Sequence, residues 1–424
     1  MRKRLWDPQQ RHFVGKRLCY IAIFIFIIIF FSGCQLVAAE LPTRVPAAFL
    51  ALDSGSAVPL TWTPVSTLMP ATATPPTAVS TREATETPLP IPTNTPVTPT
   101  PTPSVTPFPS PTGSATVEIK PLASYSSDEV IPVEAFPRPS GDNGWGIHWI
   151  PTTSQEPAAV DRFVNQVVSM HMKWVVFLNE GSNIGDNDYL VSRLVSVGIM
   201  PVMRIYRSNI SPYDGDIGKM VAHYRAKGVF YFQIYNEPNA NEENSQGFAN
   251  PNQYAIAWAA TARDVIANGG LPGIGALSPG GAYDHYSFLA GALAALRYNG
   301  DEGLLNHAWL SVHNYNGLRR LDDPDGFLLF RKYDEIIRVQ LHRSMPMIGT
   351  EGGSYSPDPQ VEKDLLVAQY TYMRNAEPYF FAFSDWVLAN KEGGAWDDQW
   401  EWQALFRNGF IHPVVTDFFY KNSR

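Results

Sequence analysis

Two glutamates stand where apolar runs stop. "YFQIYNEPNA" (231–240) passes from buried-type residues straight into Asn236, Glu237 and Pro238, and "PMIGTEGG" (346–353) ends on Glu351 and two glycines. Brought together, two such carboxyl groups can divide one reaction between them. One, protonated, releases a leaving-group oxygen; the other, ionised, attacks a carbon or activates water, which is what cleavage of a glycosidic bond requires. Taken singly, each has a plainer reading. Glu237 before Pro238 is also a favourable acid at a helix N-terminus, and Glu351 beside Gly352 and Gly353 is also a loop carboxylate. The chemistry therefore depends on what places the two residues.

From residue 136 onward, short apolar runs alternate with amphipathic stretches. "GWGIHWI" (144–150) precedes a helix whose inner face is Val160, Phe163, Val164, Val167 and Val168, the spacing of a half-buried helix. Pro157 is tolerated in its first turn. Strands are predicted at 173–179, 199–206, 229–238, 272–279, 308–316, 346–353 and 379–390. Helices are predicted near 187–197, 217–227, 251–268, 284–298, 330–341 and 360–375, with a last apolar helical stretch closing the chain. About eight strand–helix units of this size make a single (β/α)8 TIM barrel. The rival is a doubly wound open sheet. It would normally carry a Gly-rich phosphate loop after its first strand, and none is visible. In a barrel the active site lies at the C-terminal ends of the strands. Glu237 then ends the fourth strand and Glu351 the seventh, facing each other across the mouth.

On these motifs the domain resembles clan A of the glycoside hydrolases, the retaining (β/α)8 enzymes, with families 5 and 39 nearest. "IYNEPN" matches the clan's Asn-Glu at strand four and "IGTEGG" its strand-seven glutamate. The resemblance implies Glu237 as general acid/base, Glu351 as nucleophile, and Asn236 as a partner of the sugar 2-hydroxyl. "SVHNYN" is similar to the clan's His-x-Tyr pattern, implying that Tyr315 orients the nucleophile and His313 lines the sugar subsite. Trp386 matches the aromatic platform at strand eight, where an indole ring suits a flat apolar sugar face. The clan's strand-two arginine has no counterpart in "KWVVFLNEG". Arg204, in strand three, either does that job or belongs to a structural ion pair.

Several residues carry two readings. His313 is a sugar ligand or a satisfied interior histidine. His148 and Trp149, at the end of strand one, form a subsite or plain packing. Trp396 and Trp400, in "GGAWDDQWEWQ", extend the cleft or form a lid on the barrel.

Ahead of the domain, residues 1–35 run from a basic stretch through "LCYIAIFIFIIIFF" to "SGCQ", the layout of an export signal. The ending resembles a bacterial lipobox, which implies acylation of Cys34, although Phe31 stands where an aliphatic residue is usual. An uncleaved anchor is the alternative, since Leu18 to Ala39 is long enough to span a bilayer. Residues 36–135 are rich in Thr and Pro, most densely from about Pro59 to Thr116. Repeated prolines favour extended chain and cannot build a core, so this region reads as a disordered stalk. Residues 136–424 are the expected domain. Both readings of the N-terminus put it outside the cytoplasm and tie it to a membrane.

A formal charge of −8 with no basic run past the N-terminus argues against nucleic acid as a partner. The two cysteines, Cys19 and Cys34, leave the domain without disulfide or thiolate metal site. No metal and no cofactor are expected, and the domain is expected to act as a monomer on carbohydrate. A sugar-binding barrel without turnover, and a transglycosylase using the same residues, are the alternatives.

Overall fold

The computed structural model describes residues 120–422 apart from 355, 396 and 397. The expected signal, Cys34, the densest part of the stalk and Trp396 lie outside the described residues.

Eight parallel strands close in chain order into one barrel. They are β1 (Trp145–His148), β2 (Trp174–Glu180), β3 (Met200–Tyr206), β4 (Tyr231–Ile234), β5 (Leu271–Ile274), β6 (Trp309–Tyr315), β7 (Met347–Gly353) and β8 (Phe380–Asp385). Seven helices fill the crossovers: α1 (Pro157–Ser169), α2 (Asp188–Ser196), α3 (Ile217–Ala226), α4 (Pro251–Ala267), α5 (His285–Tyr298), α6 (Phe330–Leu341) and α7 (Pro359–Tyr372). The fold is a (β/α)8 TIM barrel. After β8 the expected closing helix is reduced to a π-helical turn, Val415–Phe419.

Helix starts follow from local chemistry. Asp216, Asn250, Asp284 and Asp358 each cap a helix by accepting from backbone N–H groups of its first turn, and prolines open α1, α4 and α7. α1 buries Val160, Phe163, Val164 and Val167, as its spacing predicts. Val168 differs: it is 44% exposed. At about 100° per residue, the eighth position has turned some 80° away from Val160.

The barrel interior is layered. At its foot, the first residues of the strands (Trp174, Met200, Tyr231, Leu271, Trp309) pack into an apolar plug with Ile131 and Phe136. Residues 120–135, expected to belong to the stalk, therefore include part of the folded body. Ile131 is 1% exposed, and its N–H donates to the Asn306 carbonyl at 3.1 Å. The Thr/Pro composition that marks the stalk stops short of this stretch. Higher up, a polar layer takes over, where the Ser311 hydroxyl donates to Gln233 Oε1 (3.1 Å) and lies 2.6 Å from the Thr350 hydroxyl. Above it, at the mouth, Trp386, Val387 and Ala404 form a separate apolar cluster with Tyr315 and Trp400 against it.

One irregularity sets up the mouth. β6 pairs with β7 through Val312 and Gly349, and then His313 pairs with Glu351, so Thr350 is skipped. The bulge re-aims the end of β7 and brings Glu351 level with His313.

Candidate active site

A cleft of about 1100 Å³ opens at the C-terminal ends of the strands, lined by Glu237, Glu351, Asn236, Arg204, Tyr315 and Trp386 among others. With Trp400, seven of the eleven domain residues singled out in the sequence thus meet there.

Glu237 comes off β4 through unusual backbone. Tyr235 (φ 64°) and Glu237 (φ 35°) both lie in the left-handed region, which non-glycine residues seldom occupy and which concentrates at functional sites. Neighbours hold Tyr235 there: its ring stacks on Tyr213 at 5.0 Å and its hydroxyl donates to the Ser211 carbonyl at 2.8 Å. No helix starts at Pro238, the next one being α4 at Pro251, so Glu237 is not a helix N-terminal acid.

Glu351 is 8% exposed and well partnered. The Arg204 guanidinium donates to its Oε1, and the Tyr315 hydroxyl donates to Oε2 at 3.0 Å. Arg204 therefore reaches the strand-seven glutamate from β3, and the ion pair lies in the site itself. Burial alone would push the Glu351 carboxyl up. The charges of His313 and Arg204, with the Tyr315 bond, outweigh that and hold it below its ordinary range.

His313 joins the two acids. It is fully buried, with Nδ1 2.9 Å from Glu237 Oε1 and Nε2 3.5 Å from Glu351 Oε1. Burial disfavours its protonation, but the Glu351 charge and the Glu237 bond outweigh burial and raise its pKa. This histidine lies between the carboxylates, beneath the cleft surface.

Trp386, 7% exposed, forms a corner with Trp400, ring centres 5.6 Å apart and nearly perpendicular. Trp400 lines the cleft too. His148 is not on the cleft wall. It is fully buried, 4.2 Å from the Trp386 ring, and its Nδ1–H donates to the Trp149 carbonyl at 3.0 Å. Burial pushes its imidazole down to about 4.

Trp149 does not belong to the site. Its indole is fully buried, edge-on to Phe163, and donates to Gln155 Oε1 at 3.1 Å. Successive side chains of an extended chain point to opposite faces, so the neighbour of an inward-facing His148 points out toward α1.

Sequence reading missed Glu243, Glu180 and Tyr206, which also line the cleft. Glu243 accepts from Asn236 Nδ2 at 3.2 Å. Burial raises the pKa of its carboxyl, with the Asn236 bond and Arg204 opposing. It lies in an irregular loop, where no periodicity signals a position. Glu180 and Tyr206 end β2 and β3, and strand-end position was the available signal for both.

No protein-family model and no curated protein matches the chain. Solved structures do. A family 128 (subgroup II) endo-β-1,3-glucanase from Pseudomonas viridiflava is 15% identical, with a TM-score of 0.47 over 66% of this chain and 97% of that one. A family 39 glycoside hydrolase from Bacteroides cellulosilyticus is 13% identical, with a TM-score of 0.47 over 68% and 63%. An endo-1,4-β-mannanase from Rhizomucor miehei is 12% identical, with a TM-score of 0.41 over 62% and 90%. At these identities the likeness is one of fold.

Proposed function

We propose that this barrel is a retaining glycoside hydrolase that cleaves β-linked poly- or oligosaccharides by double displacement. The observation that carries the reading is the single imidazole of His313 in contact with both Glu237 and Glu351 at the floor of the cleft. A ring in contact with both carboxylates supports their acting as one pair; the retaining outcome, which needs carboxyl groups about 5–5.5 Å apart, rests on the resemblance of the two glutamate motifs to the retaining clan.

The roles follow from surroundings. Glu351, kept ionised by Arg204 and Tyr315, attacks the anomeric carbon while Glu237 gives its proton to the departing oxygen. The C–O bond breaks and a glycosyl ester on Glu351 forms. Glu237, now ionised, takes a proton from water; the resulting hydroxide adds to the anomeric carbon and Glu351 leaves. Trp386 and Trp400 offer faces for sugar rings. The size of the cleft suits several sugar units, since a site for one small molecule is about 300–1000 Å³. The β-linkage comes from the Asn-Glu and strand-seven motifs. With the N-terminal segment acting as signal and anchor, the hydrolase works at the cell surface.

The test is turnover on β-linked polysaccharides and aryl β-glycosides, with Glu351→Gln and Glu237→Ala beside the parent. Loss of turnover in the Glu351 variant, and azide rescue of the Glu237 variant to a β-glycosyl azide, are expected. Turnover unchanged in both variants would end this reading, and so would binding of the glycans with no turnover by the parent.

A further inference from the structure

Glu243 is a third carboxylate at the same mouth, and neither proposed chemical step uses it. Its loop is firmly held. The Ala240 N–H donates to the Glu237 carbonyl at 2.8 Å, and Asn244 Nδ2 donates to the Pro238 and Ala240 carbonyls at 3.0 and 2.6 Å. The Ile210 N–H donates to the Glu243 carbonyl at 2.6 Å, tying the loop to the segment after β3. The Glu243 side chain is thereby set against Asn236, accepting from Nδ2.

That contact fixes the amide. An ionised carboxylate only accepts hydrogen bonds, so the Asn236 NH2 must face it. The Asn236 oxygen is left buried without a partner. A buried acceptor with no donor is costly; a small turn of the amide toward the cleft, which Asn236 lines, would bring this oxygen within reach of a ligand hydroxyl.

The charge balance points the same way. Among the described residues lining the cleft, the one basic side chain is Arg204, and Glu351 engages it. Glu156 and Glu180 stand exposed at the rim, with no ion pair to any described residue. A carboxylate or sulfate on the substrate would meet Glu243 and the rim acids with no cation free to answer it.

We propose that Glu243 is a positioning and specificity residue: it holds Asn236 so that the amide oxygen receives a sugar hydroxyl, and its charge turns away anionic glycans. The class of substrate is then an uncharged β-glycan. This rests on the hydrolase reading above, and it adds which glycans that hydrolase accepts.

The test measures binding to laminarin and mixed-linkage β-glucan and to their carboxymethylated forms, using the full-length chain in a Glu237→Gln background that halts turnover. Glu243→Gln and Glu243→Ala are compared with it at low and at high salt. The parent should bind the neutral polymers about tenfold or more tighter, the scale of close like-charge rejection, and salt should narrow the gap. Glu243→Gln keeps an acceptor for Asn236 but loses the charge. It should hold neutral-glycan affinity within about twofold while the gap shrinks about threefold or more. Glu243→Ala releases Asn236 and should weaken neutral binding about fivefold. A merely structural role would not alter discrimination by charge, and thermal melts identify a variant that fails to fold, in which case the Gln variant alone decides. An unchanged gap in Glu243→Gln overturns the proposal and leaves the hydrolase reading standing. Equal binding of neutral and anionic polymers by the parent does the same. No binding to either neutral polymer overturns the proposal, and the turnover test above then decides the hydrolase reading by itself.

Discussion

Replacing Arg204 with Met tests whether Glu351 is held as a buried anion. The two side chains are 10% and 11% exposed, so solvent screens their attraction weakly. Breaking a buried pair from one side costs about 3–5 kcal/mol, chiefly because a charge is left uncompensated. Here Tyr315 still donates to Glu351 and His313 still lies 3.5 Å away, which places the loss at the lower end, about 3 kcal/mol. For a domain of this size that is a fall in Tm of about 5 °C. The pH dependence has a definite sign. Glu351 is depressed in the folded protein, so the stability it contributes is present above its unfolded pKa and is lost as pH falls through the folded pKa. The gap between parent and variant should thus be full at neutral pH and close in acid, where Glu351 is neutral in both. Adding Glu351→Gln to the Arg204 variant should restore most of the loss, because no buried charge then remains. Thermal unfolding of the four proteins over pH 3–8 measures this cycle. A single variant within about 1 kcal/mol of the parent at neutral pH, or a double variant worse than the Arg204 single, would refute the argument.

Three further outcomes are expected. Trp386→Ala should raise KM about tenfold with a smaller effect on kcat, since an aromatic face contributes about 0.5–1.5 kcal/mol beyond its area; an unchanged KM in steady-state kinetics removes Trp386 from the subsite. Ile131→Ala should lower stability by about 2–4 kcal/mol while leaving kcat/KM at 25 °C unchanged, and denaturant titration showing no loss would put residues before 136 back in the stalk. His148, at about 4 against an ordinary 6.5, binds its proton more readily unfolded than folded. Stability should therefore fall by about 3 kcal/mol as pH drops from 6.5 toward 4. His148→Asn should flatten that part of the stability curve, and an unchanged slope would show that His148 is not the titrating group.

The barrel and its two glutamates were legible because both rest on repetition. Each strand is a short apolar run, five of the seven helices open on a capping Asp or Asn or on a proline, and the strand count assigns Glu237 and Glu351 to opposite sides of the mouth. What escaped was set by single contacts. Trp149 differs from His148 by one position, and only the direction of the chain at the end of β1 separates a buried packing residue from a neighbour of the site. Arg204 could be a structural ion-pair member or a partner of the strand-seven glutamate until the geometry showed an ion pair with Glu351 inside the cleft. The bulge that levels Glu351 with His313 skips one residue, Thr350, and leaves no mark in composition. Glu243 is placed by hydrogen bonds of an irregular loop, which no periodic pattern encodes. Residues 120–135 lie beyond the dense proline stretch, yet too few of them are apolar to announce that Ile131 is buried.

The plug of Ile131 and Phe136 also fixes a direction. The chain enters the barrel at the foot, beneath the first residues of the strands, whereas the carboxylates open at the opposite end. The described chain therefore begins at the pole away from the mouth. Fastened to a surface through that end, the domain would present its cleft outward, toward polymers too large to reach underneath it. An affinity tag or a support coupled ahead of residue 120 should, for the same reason, leave access to the cleft unimpeded, whereas the loops after β4 and β8 are the wrong places to fasten anything.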